Sequence, residues 1–297
     1  MVHGLYHATG HAATREARST KSVIWRCVLS LLSALLLGIL QGFTEFLPVS
    51  SSGHLVLAQK LLPGFSQPGV LFDVTIHLGT LVAVCLYFRK DLWALLWSVI
   101  PGHEPGVDTA PNQRLLWLLF LGSVPTVVLG LFFRKQFEAM FDDIFGAGIW
   151  FIITGVLLFI TDRVTTADRS FSAMSALDAL IIGLAQGISI IPALSRSGAT
   201  IAAGVFLGLE RGLLVRYSFL LSIPAVAGAF LLELVSHRHE TFHSADLLAY
   251  GVGTLAALVI GYWSIAVLLN LTRSRRLSMF AYYCWAIGLV ALVVGNG

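Results

Sequence analysis

Two apolar stretches of this chain are too long to cross a bilayer once and too short to cross it twice. Residues 27–59, a run of 33, carry a single formal charge, Glu45; residues 179–209, a run of 31, carry only Arg196. One helix needs about 20 residues to span the hydrocarbon core, so two spans and a turn need about 40 or more. Both stretches break near the middle, at Leu47-Pro48-Val49-Ser50-Ser51-Ser52-Gly53 and at Ile191-Pro192-Ala193-Leu194-Ser195-Arg196-Ser197-Gly198. A re-entrant helix–turn–helix fits that length and that break. Non-helical backbone at membrane depth must be surrounded by protein or by a water-filled cavity.

The remainder of the chain reads as membrane helices. Residues 74–88, 115–133, 144–161, 217–232, 247–272 and 277–297 contain no Asp, Glu, Lys or Arg, which predicts six crossings, the first bounded by Phe72 and Arg89. Charged residues are 12% of the chain, against about 25% in soluble domains. That excludes a disordered chain and argues against a soluble enzyme. A net charge of +3 gives no reason to expect a nucleic-acid partner, and three widely separated cysteines form neither a metal spacing nor a disulfide framework. No alternating strand pattern suggests a β-barrel. Residues 1–22 read as a polar tail; its His3, His7 and His11 read as solvated. The basic residues before the first apolar stretch resemble a signal peptide, but that stretch exceeds an h-region and no cleavage site follows.

The two breaks are also an internal repeat. Gln41 to Gly53 and Gln186 to Gly198 both run Gln-Gly to Ser-Gly in 13 residues around a proline, at an offset of 145. The same offset sets 72–88 on 217–233. Past a shorter loop, 115–133 corresponds to 247–270 and 144–161 to 279–296. The expected fold is therefore an all-α integral membrane protein of about ten helical segments in two inverted repeats, residues 23–162 and 176–297, each a re-entrant hairpin plus three crossings. An odd number of crossings per half makes the halves inverted, and such repeats bring paired broken helices to the bilayer midplane. Ten basic residues fall on one side (Arg89, Lys90, Arg114, Arg163, Arg169, Arg211, Arg216, Arg273, Arg275, Arg276), against Lys60, Arg134, Lys135, Arg238 and the basic tail on the other. The richer side is expected to be cytoplasmic.

If both hairpins are re-entrant, their tips converge and gather the costly intramembrane polar groups into one pocket, a functional site by default. Arg196 suits bidentate contact with phosphate. Ser195, Ser197 and Thr200 flank it with hydroxyls, and Gly53 and Gly198 stand where the second arms start, where backbone N–H groups bind anions. Ser50, Ser51 and Ser52 offer nucleophiles, although Ser50 and Ser52 read first as groups satisfying backbone at a helix break. His54 offers an acid or base, and Glu45 a base, an orienting partner for His54, or a cation ligand. An inert Glu45–Arg196 ion pair is the competing structural reading. His77 divides evenly between a pocket role and a hydrogen-bonded structural one. Gly183/Gly187 and Gly204/Gly208 match a helix-packing pattern at least as well as a functional one. This inventory suits hydrolysis of a phosphate ester or anhydride at the membrane.

At these residues the sequence resembles the bacterial undecaprenyl-pyrophosphate phosphatase family, known also for bacitracin resistance. Gln41 to His54 matches the family's Glu/Gln-Gly-x-Thr-Glu-Phe-Leu-Pro-Val-Ser-Ser-x-Gly-His motif, and Pro192 to Thr200 matches Pro-Gly-x-Ser-Arg-Ser-Gly-x-Thr. The similarity extends through Phe72–Val84 and Ser218–Pro224 and covers roughly residues 25 to 297. It implies a multi-pass enzyme of the bacterial cytoplasmic (inner) membrane with its site opening to the periplasm. That enzyme converts a polyprenyl diphosphate lipid to the monophosphate, recycling the carrier for cell-wall glycans. It implies a divalent cation, Mg2+ or Ca2+, with Glu45 as a ligand. It implies catalytic roles for Glu45, Ser51 and His54, with Ser51 the nucleophile candidate, His54 assisting proton transfer and Arg196 holding phosphate. Gln41 stands where some members have Glu, which leaves a two-carboxylate metal site incomplete, and Ala193 replaces the usual Gly. Homo-oligomerisation stays open.

A lipid or small-molecule transporter would use inverted repeats and midplane tips equally well. The acid-phosphatase-like lipid phosphatases need a histidine where this chain has Ala202, and their Lys-x6-Arg-Pro motif is missing.

Overall fold

The computed structural model describes residues 31–62, 70–101, 109–141, 143–165, 167–236, 244–273 and 277–296. Residues 1–30, with His3, His7 and His11, and residues 237–243, with His237, His239 and His243, lie outside the described residues.

Among the described residues, regular structure is helical, and the chain is an all-α multi-pass membrane protein. A first hairpin, α1 (Leu31–Phe46) and α2 (Ser51–Leu61), precedes α3 (Val70–Tyr87), α4 (Arg89–Ser98), α5 (Ala110–Phe132), α6 (Arg134–Met140) and α7 (Ile144–Arg163). A second hairpin, α8 (Ala176–Ile188) and α9 (Arg196–Phe206), precedes α10 (Arg211–Ser236), α11 (Ser244–Arg273) and α12 (Ser278–Gly295). Apart from the short α4 and α6, each half is one hairpin and three long helices.

Five helices are long and apolar enough to cross a membrane: α5, α7, α10, residues Leu247–Leu271 of α11, and α12. The expected first crossing, α3, stops at Tyr87 and bends by 73° into α4. The bend falls where the exposed Arg89 and Lys90 arrive, charges that lipid does not accommodate. Beyond it, Trp93 and Trp97 stack on each other and stay exposed, as aromatic side chains do at a membrane interface.

Three of the four hairpin arms are too short to span. The 11 residues of α2, 13 of α8 and 11 of α9 rise roughly 16, 20 and 16 Å at 1.5 Å per residue, against about 30 Å of hydrocarbon. The hairpins also open at opposite ends. α1 runs parallel to α11, with Gly38 on Gly253 and Gly42 on Ala257 and Ile260, while α8 runs parallel to α5, with Gly183 on Gly122 and Gly187 on Pro125. α5 begins, and α11 ends, at one end of the molecule. There Arg114 donates to Phe171 O and Met174 O, Arg211 donates to Thr161 O, and Asp162 accepts from the Leu277 N–H.

The halves are inverted and interlocked. α7 and α12, the third long helix of each half, meet antiparallel: Phe145 lies by Gly295, Gly148 by Gly288 and Gly155 by Ala281. Equivalent helices that meet this way are related by a two-fold axis perpendicular to them. Each hairpin's first arm leans on a long helix of the other half. At both crossings backbone meets backbone: a Cβ on Gly38 would stand 2.2 Å from Gly253 O, and one on Gly183 2.0 Å from Gly122 O. Gly183 and Gly187 thus serve packing. Gly183→Ala is expected to cost about 1–3 kcal/mol, as overpacking does, and to lower the unfolding temperature in detergent. Gly228→Ala on α10, where a Cβ meets nothing within 4 Å, should leave that temperature unchanged or raise it, because Ala is the better helix former.

Candidate active site

Both hairpins turn on the same device. Ser50 caps α2 by accepting from the Gly53 N–H, and Ser195 caps α9 by accepting from the Gly198 N–H. The first helical residue after the cap is Ser51 in one tip and Arg196 in the other, so the repeat superposes serine on arginine. Each tip reverses through one left-handed residue, Ser50 and Ala193, both at φ 67°. Ala193 therefore makes its turn without glycine, and its Cβ lies against Gly53, where an added Cβ would come within 2.7 Å. Two hydrogen bonds stitch the tips together: the Ala193 N–H donates to Ser52 Oγ (3.4 Å) and Ser197 Oγ donates to Leu47 O (3.3 Å). Ser50 and Ser52 are occupied with backbone.

Glu45, on the last turn of α1, is the hub. Its Oε2 accepts from Ser51 Oγ at 2.6 Å and from Gln41 Nε2 at 2.8 Å, and its Oε1 pairs with Arg196 Nη2. His77 on α3 brings Nε2 to 3.6 Å from Oε2. The His77 Nδ1 is 2.6 Å from Asp73 O and donates to it. A carboxylate at a helix C-terminus opposes the helix dipole, and these donors offset that cost. Gln41, Glu45, Ser51, Ser195, Ser197 and Thr200 are all buried.

Arg196 uses one side of its guanidinium on Glu45; its other terminal nitrogen, Nη1, is buried without a hydrogen-bond partner. Arg196 also lines a small recess with Glu45, Phe46, Ser197, Ser218, Phe219 and Ser222. A buried donor left unpaired costs about 1–3 kcal/mol, more when charged, so Nη1 is a donor in want of an acceptor. Ser218 and Ser222 were not among the expected site residues. The signal for them was present: the offset of 145 places them on Asp73 and His77, so α3 and α10 present matched polar positions from the two halves. Thr200 is held on its own helix, donating toward Arg196 O (2.9 Å) and Ser197 O (3.2 Å) and sharing a 2.6 Å hydrogen bond with Ser218 Oγ.

His54 stands apart from this cluster. It is buried, with Nδ1 2.6 Å from Ser50 O and Nε2 2.8 Å from the Tyr283 hydroxyl. The carbonyl can only accept, so Nδ1 carries the proton and Nε2 accepts from Tyr283. Tyr283 stacks on the ring, and Phe151 meets it edge-on. The hydroxyl of Ser51 is bonded to Glu45 rather than to His54.

Among the described residues no group of three His, Cys, Asp or Glu side chains could hold a metal ion. Oxygen donors are nonetheless present. The Gln41 Oε1 is buried and unpartnered, next to Glu45.

A family model described as bacitracin resistance protein BacA matches residues 34–290. The chain is 45% identical over 260 residues to the undecaprenyl-diphosphatase of Syntrophotalea carbinolica, covering 88% of this chain and 97% of that one. It is 44% identical over 272 residues to the undecaprenyl-diphosphatase of Desulfosudis oleivorans, covering 89% and 98%. It is 41% identical over 263 residues to that of Carboxydothermus hydrogenoformans, covering 88% and 96%.

Proposed function

The chain belongs to the bacitracin resistance protein BacA family, and from that premise we propose that it is a membrane phosphatase. It hydrolyses undecaprenyl diphosphate to undecaprenyl phosphate and inorganic phosphate. This recycles the lipid carrier for cell-wall glycan synthesis and confers bacitracin resistance. The observation that carries the reading is that one buried carboxylate, Glu45, holds both the Ser51 hydroxyl and the Arg196 guanidinium.

In the mechanism that this geometry supports, Arg196 binds the diphosphate through its unpaired Nη1. Glu45 takes the Ser51 proton along the 2.6 Å hydrogen bond as Oγ attacks the terminal phosphorus. The bond to the bridging oxygen breaks, and undecaprenyl phosphate leaves. Water then attacks the phosphoserine; Glu45 returns its proton to Ser51 Oγ as the P–O bond breaks, and the freed carboxylate takes the proton that water sheds and passes it to solvent, so that hydrogen phosphate leaves. His54 holds the first tip through Ser50 O.

A divalent cation, Mg2+ or Ca2+, fits the oxygen donors Glu45 and Gln41 Oε1, with phosphate oxygens completing its shell. It would neutralise charge on the diphosphate, which a site containing one guanidinium already paired with a carboxylate does not do alone. The enzyme sits in the cytoplasmic (inner) membrane with its site open to the periplasm; the clustering of Arg114, Arg163, Arg169, Arg211 and Arg216 at one end supports that end as cytoplasmic.

Purified protein in detergent should release inorganic phosphate from undecaprenyl diphosphate when Mg2+ or Ca2+ is supplied, and chelation should abolish the release. No release with either cation would overturn the reading; release that survives chelation would remove the cation from it.

A further inference from the structure

Thr154, on α7, belongs to neither hairpin and to neither motif, yet it is fully buried at 0% exposure and grips the arginine tip from outside. Its Oγ1 donates to Ala193 O at 3.1 Å and accepts from the Ser195 N–H at 3.2 Å. A hydroxyl has one donor proton and two acceptor lone pairs, so this side chain closes both ends of the Ala193–Leu194–Ser195 segment at once. That segment is the whole lead-in to Arg196, and it contains the left-handed Ala193 at φ 67°. A non-glycine residue in that conformation persists only where its surroundings over-determine it. The fixings of this segment from outside are the Thr154 hydroxyl, on the Ala193 carbonyl and the Ser195 N–H, and Ser52 Oγ, on the Ala193 N–H. The helix cap at Ser195 adds a local one, through Gly198.

We propose that Thr154 is a positioning residue for the hydrolysis: through the backbone of the second tip, it sets where the Arg196 guanidinium stands relative to Glu45 and the bound diphosphate. This rests on the site reading proposed above. α7 is suited to the task because it carries a contact with each tip. Phe151, one turn before Thr154 and itself 0% exposed, packs edge-on against His54 of the first tip. The two tips are thus registered against one rigid helix.

Thr154→Val keeps the shape and removes the hydroxyl, leaving Ala193 O and the Ser195 N–H without this partner. A fall in kcat/KM of about 10- to 100-fold is expected, the range for unpaired buried groups. Thr154→Ser, which keeps the hydroxyl and loses the methyl, should stay within about threefold of the parent. The readout that separates positioning from mere folding is a double-mutant comparison. If Thr154 acts through Arg196, Thr154→Val should cost less than about threefold when added to the weakened Arg196→Lys enzyme, because residues acting through one group are not additive. Two results would overturn the inference while leaving the site reading intact: a Thr154→Ser enzyme as impaired as Thr154→Val, or an undiminished Thr154→Val loss in the Arg196→Lys background. An Arg196→Lys enzyme as active as the parent would remove the site reading and the inference together. If Thr154→Val fails to fold, the serine variant still decides, since full loss of activity in a folded Thr154→Ser protein contradicts the assignment.

Discussion

Ser51→Ala is expected to reduce phosphate release from undecaprenyl diphosphate by at least about 10³-fold while the protein remains folded. The size follows from losing a nucleophile and its proton-transfer partner at one stroke; groups that act as a unit lose most of their effect when one is removed. The fold should tolerate the change because the Ser51 side chain makes one hydrogen bond, to Glu45. Glu45 keeps Gln41 and Arg196 afterwards. Phosphate release by purified variant and parent, with gel filtration of both in detergent, checks both halves of the expectation. If the alanine variant hydrolyses at even a tenth of the parental rate, Ser51 is not the nucleophile, and Glu45 must instead activate water.

Glu45→Ala should be the most damaging single change in the protein, because it removes activity and stability together. Arg196, whose side chain is 21% exposed, would be left largely shielded from solvent without its counter-charge. Breaking a buried pair from one side costs about 3–5 kcal/mol, since the remaining charge is uncompensated. Ser51 Oγ and Gln41 Nε2 would lose their acceptor as well. Glu45→Gln separates the two effects: the amide can still accept from Ser51 and keeps the volume, but it cannot take a proton. Folded yield should recover substantially while hydrolysis stays down by about 10²- to 10⁴-fold, the range for a general base. Thermal unfolding and phosphate release, measured on the alanine and glutamine variants side by side, would expose an inert structural pair: in that case glutamine would restore both.

Much of the fold could be read from the chain because its causes are local. Length against bilayer thickness marked both hairpins as re-entrant, and α2, α8 and α9 are indeed short of a full span. Charge-free runs located the crossings, since a charge in lipid is costly wherever the chain goes. The course of the chain after α3 was not legible. Arg89 and Lys90 mark where a crossing ends but carry no information on the direction that follows, and the 73° bend into α4 is a feature of the tertiary structure alone. The site was legible as an inventory: Glu45, Ser51 and Arg196 could be named because each is anomalous at its depth. Their pairing could not be. Sequence alone left Glu45 free to orient His54, act as a base or bind a cation, and gave His54 by resemblance a part in proton transfer. The structure joins Ser51 to Glu45 and turns His54 toward Tyr283.

The repeat states the division most clearly. An offset of 145 matches the capping serines of the two tips and the glycines that follow them. That equivalence is a property of local sequence, because caps and helix breaks depend on residues within one turn of each other. Which side chains then meet is decided by distance in space. Ser51 and Arg196 fill the same position in their own hairpins and become partners only because one half is inverted and its tip meets the other at Glu45. Ser218 and Ser222 join them from α10, at positions the repeat sets on Asp73 and His77, while Thr154 is brought there on α7 by packing between helices far apart in the chain, which no local pattern encodes.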